Sequence, residues 1–297
     1  MNDSKTNSAG PSLIGPDPCD PRLTRRIEGV DQDGAAVTAT VVMERPMTLF
    51  LNGREIVTMM TVGDYPEYLA VGYLVNQNML GAGDEIMGVD VDDETETVVV
   101  RTAQETDFED KLAKKTLTSG CAQGTVFGDV MEGFEAARLP ADAPLRTSWL
   151  YTLTKVINTT PSLYLAAGAI HGCVLCQDDR ALVYFEDVGR HNAVDKIAGY
   201  MFLEGLKADD KILYTTGRLT SEMVIKTVSM GIPILISRSG FTAWGVELAR
   251  SANLTLVGRA RGKRFVALAG EARILFDGDP DAVADEPRHL QRKSARP

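Results

Sequence analysis

Past about residue 145 the chain alternates short apolar runs with amphipathic stretches. Residues 181–185, 212–216, 232–236 and 254–257 are rich in Ile, Leu, Val and Tyr and bounded by polar or glycine-bearing turns, which predicts buried strands. After the first, Gly189 turns the chain into a stretch with Ala193, Val194, Ile197, Ala198, Met201 and Phe202 on one side, the spacing of a helix packed on a core. After the second, Gly217 and Arg218 lead to Thr220-Ser221-Glu222, which opens another helix. After the third, Ser237-Arg238-Ser239-Gly240 precedes a helix over about 242–252. The fourth runs into Gly258-Arg259-Ala260-Arg261-Gly262-Lys263-Arg264, with a further strand behind it. Strands alternating with helices over 145–276 predict a layered α/β domain.

The upstream pattern is different. Residues 47–51 and 55–60 are apolar runs joined by Asn52-Gly53, a hairpin signal. Asp64-Tyr65-Pro66-Glu67 reads as a helix start, with Asp64 as the cap and proline in the first turn, and the helix runs to about residue 79. A second hairpin follows over 86–91 and 95–101, so residues 25–115 predict a small α+β unit. Residues 116–144 carry Gly120, Gly124, Gly128 and Gly133 without a clear period and predict a flexible connection. Residues 1–24 and 277–297 are polar and predict disordered tails.

Charge narrows the chemistry. With 31 Lys and Arg against 41 Asp and Glu the net charge is −10, which disfavours nucleic acid as a partner. The cations are local instead. Each of the four strands ends in a segment bearing arginine, and Arg190 is joined by His191. In open α/β sheets ligands bind beyond the carboxyl ends of strands, and the arginine fork suits phosphate oxygens. The expected ligand is a small molecule with several phosphates, held by Arg190, His191, Gly217, Arg218, Ser237, Arg238 and the 259–264 run. No apolar run approaches the roughly 18 residues of a membrane span. The N-terminal stretch lacks the pattern of a secretory signal, so a cytoplasmic protein is expected.

The cysteines divide by context. Cys19 lies in the expected tail. Cys173 and Cys176 form a C-x-x-C within an apolar strand, where i and i+3 side chains point to opposite faces; core packing is expected there, not a metal or disulfide. Cys121, in Thr118-Ser119-Gly120-Cys121-Ala122-Gln123-Gly124, sits in a polar, glycine-bearing stretch with no apolar face to bury it, so a reactive thiol is expected. His171 is read as a polar residue lining a pocket or the core.

Several motifs then carry a resemblance. Phe185-Glu186-Asp187-Val188-Gly189-Arg190-His191-Asn192-Ala193-Val194-Asp195-Lys196 resembles the FdhD/NarQ family, the formate dehydrogenase accessory sulfurtransferases. So do Thr216-Gly217-Arg218-Leu219-Thr220-Ser221-Glu222-Met223 and Gly231-Ile232-Pro233-Ile234-Leu235-Ile236-Ser237-Arg238-Ser239, together with Glu44-Arg45-Pro46, the Asn52-Gly53 hairpin and Gly63-Asp64-Tyr65-Pro66-Glu67. The resemblance implies a three-layer α/β domain similar to cytidine deaminases, with a smaller N-terminal α+β domain, in a homodimer. It implies that sulfur passes from a cysteine desulfurase, through a persulfide on Cys121, to the molybdenum bis(guanine dinucleotide) cofactor that apo-formate dehydrogenase receives. It places cofactor binding on Arg259, Ala260, Arg261, Gly262, Lys263 and Arg264. Two departures qualify it. Gly124 stands where many members have a second cysteine, which leaves a cofactor-binding chaperone without sulfur transfer as the alternative. His171-Gly172-Cys173 lacks the glutamate of a zinc deaminase, so neither deamination nor zinc is expected.

Overall fold

The computed structural model describes residues 14, 15, 17–81, 83–103 and 127–283, with the side chains of 127–130 left aside. Cys121 and the rest of 104–126 lie outside the described residues, as do most of the stretches read as tails. The chain opens with a hairpin of β1 (Thr24–Val30) and β2 (Ala36–Val42). The small unit follows: β3 (Arg45–Leu51), β4 (Arg54–Thr61), helix α1 (Pro66–Asn76), β5 (Ile86–Asp92) and β6 (Thr97–Thr102). Its sheet has the order β4-β3-β6-β5, with β3 and β6 parallel and the outer pairs antiparallel. Asn52 takes a φ of 54° at the β3–β4 turn, the left-handed conformation that asparagine tolerates in tight hairpins.

Helix α1 starts differently from the sequence reading. Asp64 does not cap it; the N-cap is Tyr65, in a left-handed conformation with no side-chain bond. Asp64 turns instead to Lys196 in the large unit. Leu69, Val71 and Leu74 are buried, and α1 lies between the small sheet and the larger unit, which explains why it is apolar nearly all round.

Next come α2 (Phe127–Ala136), β7 (Leu145–Arg146), α3 (Thr147–Thr159) and the single turn α4 (Leu163–Ala166). Helix α2 corrects the expectation of an aperiodic connection over 116–144. Its Phe134 is buried in the main core, and a Cβ at Gly133 would press on the Asn78 side chain, so packing outweighs the poor helix propensity of its glycines. The large unit continues with β8 (His171–Gln177), β9 (Arg180–Asp187), α5 (Arg190–Leu203), β10 (Lys211–Thr215) and α6 (Ser221–Ser229). It closes with β11 (Ile234–Ser237), α7 (Ala243–Ser251), β12 (Thr255–Arg261), β13 (Arg264–Ala269) and β14 (Ile274–Leu275).

The main sheet has the order β13-β12-β11-β10-β8-β9. Helices α5, α6 and α7 pack with Cys173, Leu175, Phe185 and Leu213 on one side, and α3 packs with Val174, Cys176, Tyr184 and Tyr214 on the other. Cys173 and Cys176 thus fall in different cores on opposite faces of β8, both fully buried. Burial pushes the Cys173 thiol up to about 12 and raises Cys176 as well, so neither is a ready thiolate.

Both expected tails reach into the fold. Ile14 bridges to Val183 on the outer strand β9 and Leu23 is buried. Asp277 supplies the cap that α3 lacks: its carboxylate accepts from Ser148 N at 3.1 Å and pairs with Arg146 at 2.9 Å. Those bonds, the Ser148 N–H first, hold its carboxyl down at about 2.

Candidate functional site: the carboxyl edge of the main sheet

Strands β10, β11 and β12 are parallel neighbours, while β8 runs antiparallel to both β9 and β10. Hence β9, β10, β11 and β12 all end on one edge of the sheet. The first residue of β8, His171, opposes Asp187 at the end of β9, so it joins the same edge. A single topology therefore collects Arg190, His191, Gly217, Arg218, Ser237, Arg238 and Arg259 with His171 among them.

Short side chains brace the loops. Thr215 Oγ1 donates to the Gly172 carbonyl at 3.1 Å and accepts from Gly217 N at 3.1 Å. Ser237 Oγ donates to the Gly217 carbonyl at 2.6 Å and accepts from Ser239 N at 2.9 Å. Gly217 backs onto the Arg190 side chain, leaving little room for a Cβ. Ser237 and Gly217 accordingly act as braces between loops in this geometry.

The arginines divide into two kinds. Arg218 and Arg259 are exposed at the edge. Arg238 is buried, donates to Asn158 Oδ1 at 3.1 Å and lies 5.6 Å over the Tyr164 ring, so its guanidinium also holds the fold. Arg190 is half-buried, 3.6 Å from Glu222. The 259–264 run is not a free loop. It is the bulged end of the β12–β13 hairpin, where Arg259 has a φ of 54° and its N–H donates to the Ser239 carbonyl at 2.7 Å. Arg261 Nε reaches the Arg238 carbonyl at 3.4 Å, and Ala260 is buried. Gly262 forms the hairpin turn with a positive φ, Lys263 leans toward Asp281 at 3.3 Å, and Arg264 is exposed opposite Arg261.

Electrostatics follow from this crowding. Burial, then the positive charges of Arg190 and Arg218, push the His171 imidazole below its ordinary value. His191 is pushed down chiefly by burial, although Glu222 opposes the shift. Cations that disfavour a further proton on a neighbouring imidazole equally favour an anion in the same space.

A second polar centre, absent from the sequence reading, fixes this edge to the small unit. Lys196 is fully buried, 2.7 Å from Asp187 Oδ2, ion-paired to Asp64, and bonded to the Glu186 carbonyl at 2.9 Å. Thr61 on β4 donates to Asp187 Oδ2 at 2.6 Å. One residue before it, Glu186 accepts from Leu163 N at 2.6 Å and Tyr164 N at 3.0 Å. The available signal was Lys196 at the start of the apolar half of α5, since an ammonium buried there requires carboxylates. Helix α6 holds the other unread pair, Glu222 beside His191 and Lys226 beside Asp195. Among the described residues, no group of three or more His, Cys, Asp or Glu side chains could hold a metal ion, and no helix is long and apolar enough to cross a membrane.

Fold and site together define a mixed α/β protein with a cationic edge on its main sheet. The chain belongs to the FdhD/NarQ family, whose sequence model matches residues 42–275. It is 30% identical over 244 residues to the sulfur carrier protein FdhD of Bacillus pumilus, covering 80% of this chain and 91% of that protein. It is 28% identical over 235 residues to the protein of the same name from Bacillus subtilis, covering 79% and 90%. A crystal structure assigned to a formate dehydrogenase accessory protein from Desulfotalea psychrophila superposes with a TM-score of 0.69 at 30% identity, covering 85% of this chain and 99% of that one.

Proposed function

We propose that the protein is a sulfur carrier that moves sulfur from a cysteine desulfurase to the molybdenum bis(guanine dinucleotide) cofactor, its acceptor substrate, for delivery to apo-formate dehydrogenase in the cytoplasm. The observation that carries this reading is the convergence of Arg190, Arg218, Arg238 and Arg259 on one sheet edge, in a chain whose relatives are named sulfur carrier proteins. The cofactor's two pyrophosphates ask for several guanidinium forks, and exposed Arg218 and Arg259 are the ones free to turn toward them. Arg190, Arg261, Lys263 and Arg264 add positive charge around them.

The sulfur step falls to Cys121. Its thiolate attacks the outer sulfur of the desulfurase persulfide, the sulfur–sulfur bond there breaks, and the desulfurase leaves as a thiolate while Cys121 keeps the persulfide. Cations of the edge favour the thiolate form of an approaching cysteine. Passing that sulfur on to the acceptor as sulfide would break the Cys121 sulfur–sulfur bond with two electrons from a dithiol reductant and return Cys121 to its thiolate. The deaminase-like layering and the homodimer belong to the same reading; a sheet covered on both faces fits the first, and the exposed Phe276, stacked on Phe265 of β13, suits an interface for the second.

The test is complementation. In cells lacking their own copy, wild-type protein should restore formate dehydrogenase activity and Cys121→Ala should not. Deleting a nucleophile removes the covalent intermediate itself, not a share of its stability. Full activity with Cys121→Ala would favour the chaperone alternative, which Gly124 in place of a second cysteine already suggests.

A further inference from the structure

The β1–β2 hairpin is exposed along both strands. No residue of either strand is buried, and among the described residues neither outer edge pairs with another strand. Ile27 is 49% exposed and Val37 40%, on the same face as Ala39 and Val41. A two-stranded hairpin is marginal in water, and stability comes with further strands and an apolar face. The two edges differ in charge. Strand β1 carries Arg25, Arg26 and Glu28, which discourage addition of another strand, whereas β2 carries no charge at all.

The hydrogen-bond phase of the hairpin says which groups β2 offers. Asp31 N donates to the Ala35 carbonyl at 3.0 Å at the turn, and Met43 N donates to the Leu23 carbonyl at 2.8 Å at the open end. Antiparallel ladders alternate bonded and non-bonded pairs, so the odd-numbered residues between these two bonds face across the hairpin. Ala36, Thr38, Thr40 and Val42 therefore direct their backbone N–H and C=O groups outward.

The sequence of that edge is its own mirror. Val37-Thr38-Ala39-Thr40-Val41 reads the same in both directions, and a two-fold interface requires a surface that complements itself. Two copies of β2 laid antiparallel about Ala39 set Thr38 against Thr40 and Ala36 against Val42, each twice. These are the residues whose backbone groups face outward. Val37 then stands against Val41, and Ala39 against itself, in the non-bonded pairs. Cross-strand threonine and β-branched pairs of this kind favour pairing, and no like charges meet across the axis. We propose that the free edge of β2 pairs with β2 of a second copy of this chain, closing a four-stranded sheet in the order β1-β2-β2-β1. The charged β1 strands become its outer edges, so assembly stops at two. Only Val42, the last residue of β2, falls within the stretch matched to the family, so this pairing is a property of the chain's own sequence. It deepens the homodimer of the proposed function, rests on that part of the reading, and is independent of the sulfur step.

Sedimentation of the full chain over a concentration series tests it. The wild type should form a dimer. Thr38→Pro removes an N–H that points away from β1, where an edge strand accepts proline, and should be monomeric at concentrations at which the wild type is dimeric. Ala39→Cys should join two chains by a disulfide under mild oxidation, because the two-fold axis sets that position against itself within disulfide reach. Val30→Cys, at a position that is 72% exposed but on the outer strand, should not. Peptide mapping locates the bond, and this arm holds even where proline disturbs the hairpin. A dimer that persists in Thr38→Pro, or Ala39→Cys joined no faster than Val30→Cys, would overturn the pairing and leave the homodimer standing. A dimer that survives Thr38→Pro but is lost in Phe276→Asp would place the interface at Phe276 instead. A monomeric wild type would remove the homodimer and the pairing together.

Discussion

Gly72 on α1 and Gly199 on α5 meet where the small and large units cross, each backbone occupying the space that a side chain on the other would need. A Cβ at Gly72 would run into the Asp195 carbonyl and the Gly199 N–H; one at Gly199 would run into the Tyr68 carbonyl and the Gly72 N–H. This crossing sets the separation of the two units and thereby the placing of Asp64 and Thr61 against the sheet edge. Gly199→Ala must push backbone apart, not a flexible side chain. It should cost at least about 1–3 kcal/mol, read as a lower urea midpoint with unchanged slope. An unaltered midpoint would mean that the units are not in this contact.

Glu186 makes stability depend on pH. Burial pushes its carboxyl up to about 7, against the pull of the Tyr164 and Leu163 N–H groups. A carboxyl raised in the folded state contributes stability that is complete below its unfolded value and is lost as pH rises through the folded one. The stability advantage of wild type over Glu186→Gln should therefore shrink between about pH 5 and pH 8. Thermal melts of both proteins across that interval measure it, and a gap that widens with pH has the wrong sign for this account.

The arginines should separate by exposure. Arg218→Ala should weaken binding of guanosine diphosphate by about tenfold or more, the loss of a charge-assisted bond, and leave the melting temperature nearly unchanged. Arg238→Ala should lower the melting temperature, because it removes a buried hydrogen bond to Asn158 and the guanidinium over the Tyr164 ring. Titration calorimetry and melts on both variants decide this; equal binding by wild type and Arg218→Ala would remove Arg218 from the phosphate site.

Alkylation at neutral pH should label exposed Cys19 and the proposed carrier Cys121 well before Cys173 and Cys176. The strand cysteines are fully buried with raised thiol values, so they should react only as fast as the sheet opens. Peptide mapping by mass spectrometry over time distinguishes the sites, and early double labelling of Cys173 and Cys176 would contradict the core assignment.

Local chemistry made parts of this fold legible. Asn52-Gly53 marked the hairpin because a tight β-turn needs positive φ, and the strand–glycine–arginine repeats marked the cationic edge because strand direction puts those loops together. What escaped depended on distant neighbours. Asp64 looks like a helix cap until Lys196, far along the chain, claims it. The 127–136 helix hides behind its glycines, which only its packing on α6 makes tolerable. Asp277 reads as part of a polar tail, yet it caps α3 across the fold. The 259–264 run reads as a loop because a bulge breaks the strand period. Glu222 and Lys226 read as ordinary charges on a helix, and only the small unit packed opposite them makes a cavity there.

The central claim is that Cys121 carries sulfur, and mass spectrometry tests it most directly. The purified protein is incubated with a cysteine desulfurase and free cysteine, then digested without reductant. The account predicts one added sulfur on the peptide containing Cys121, removed by dithiothreitol and absent from the Cys173 and Cys176 peptide. An unmodified Cys121 under conditions in which the desulfurase itself is persulfidated would contradict it.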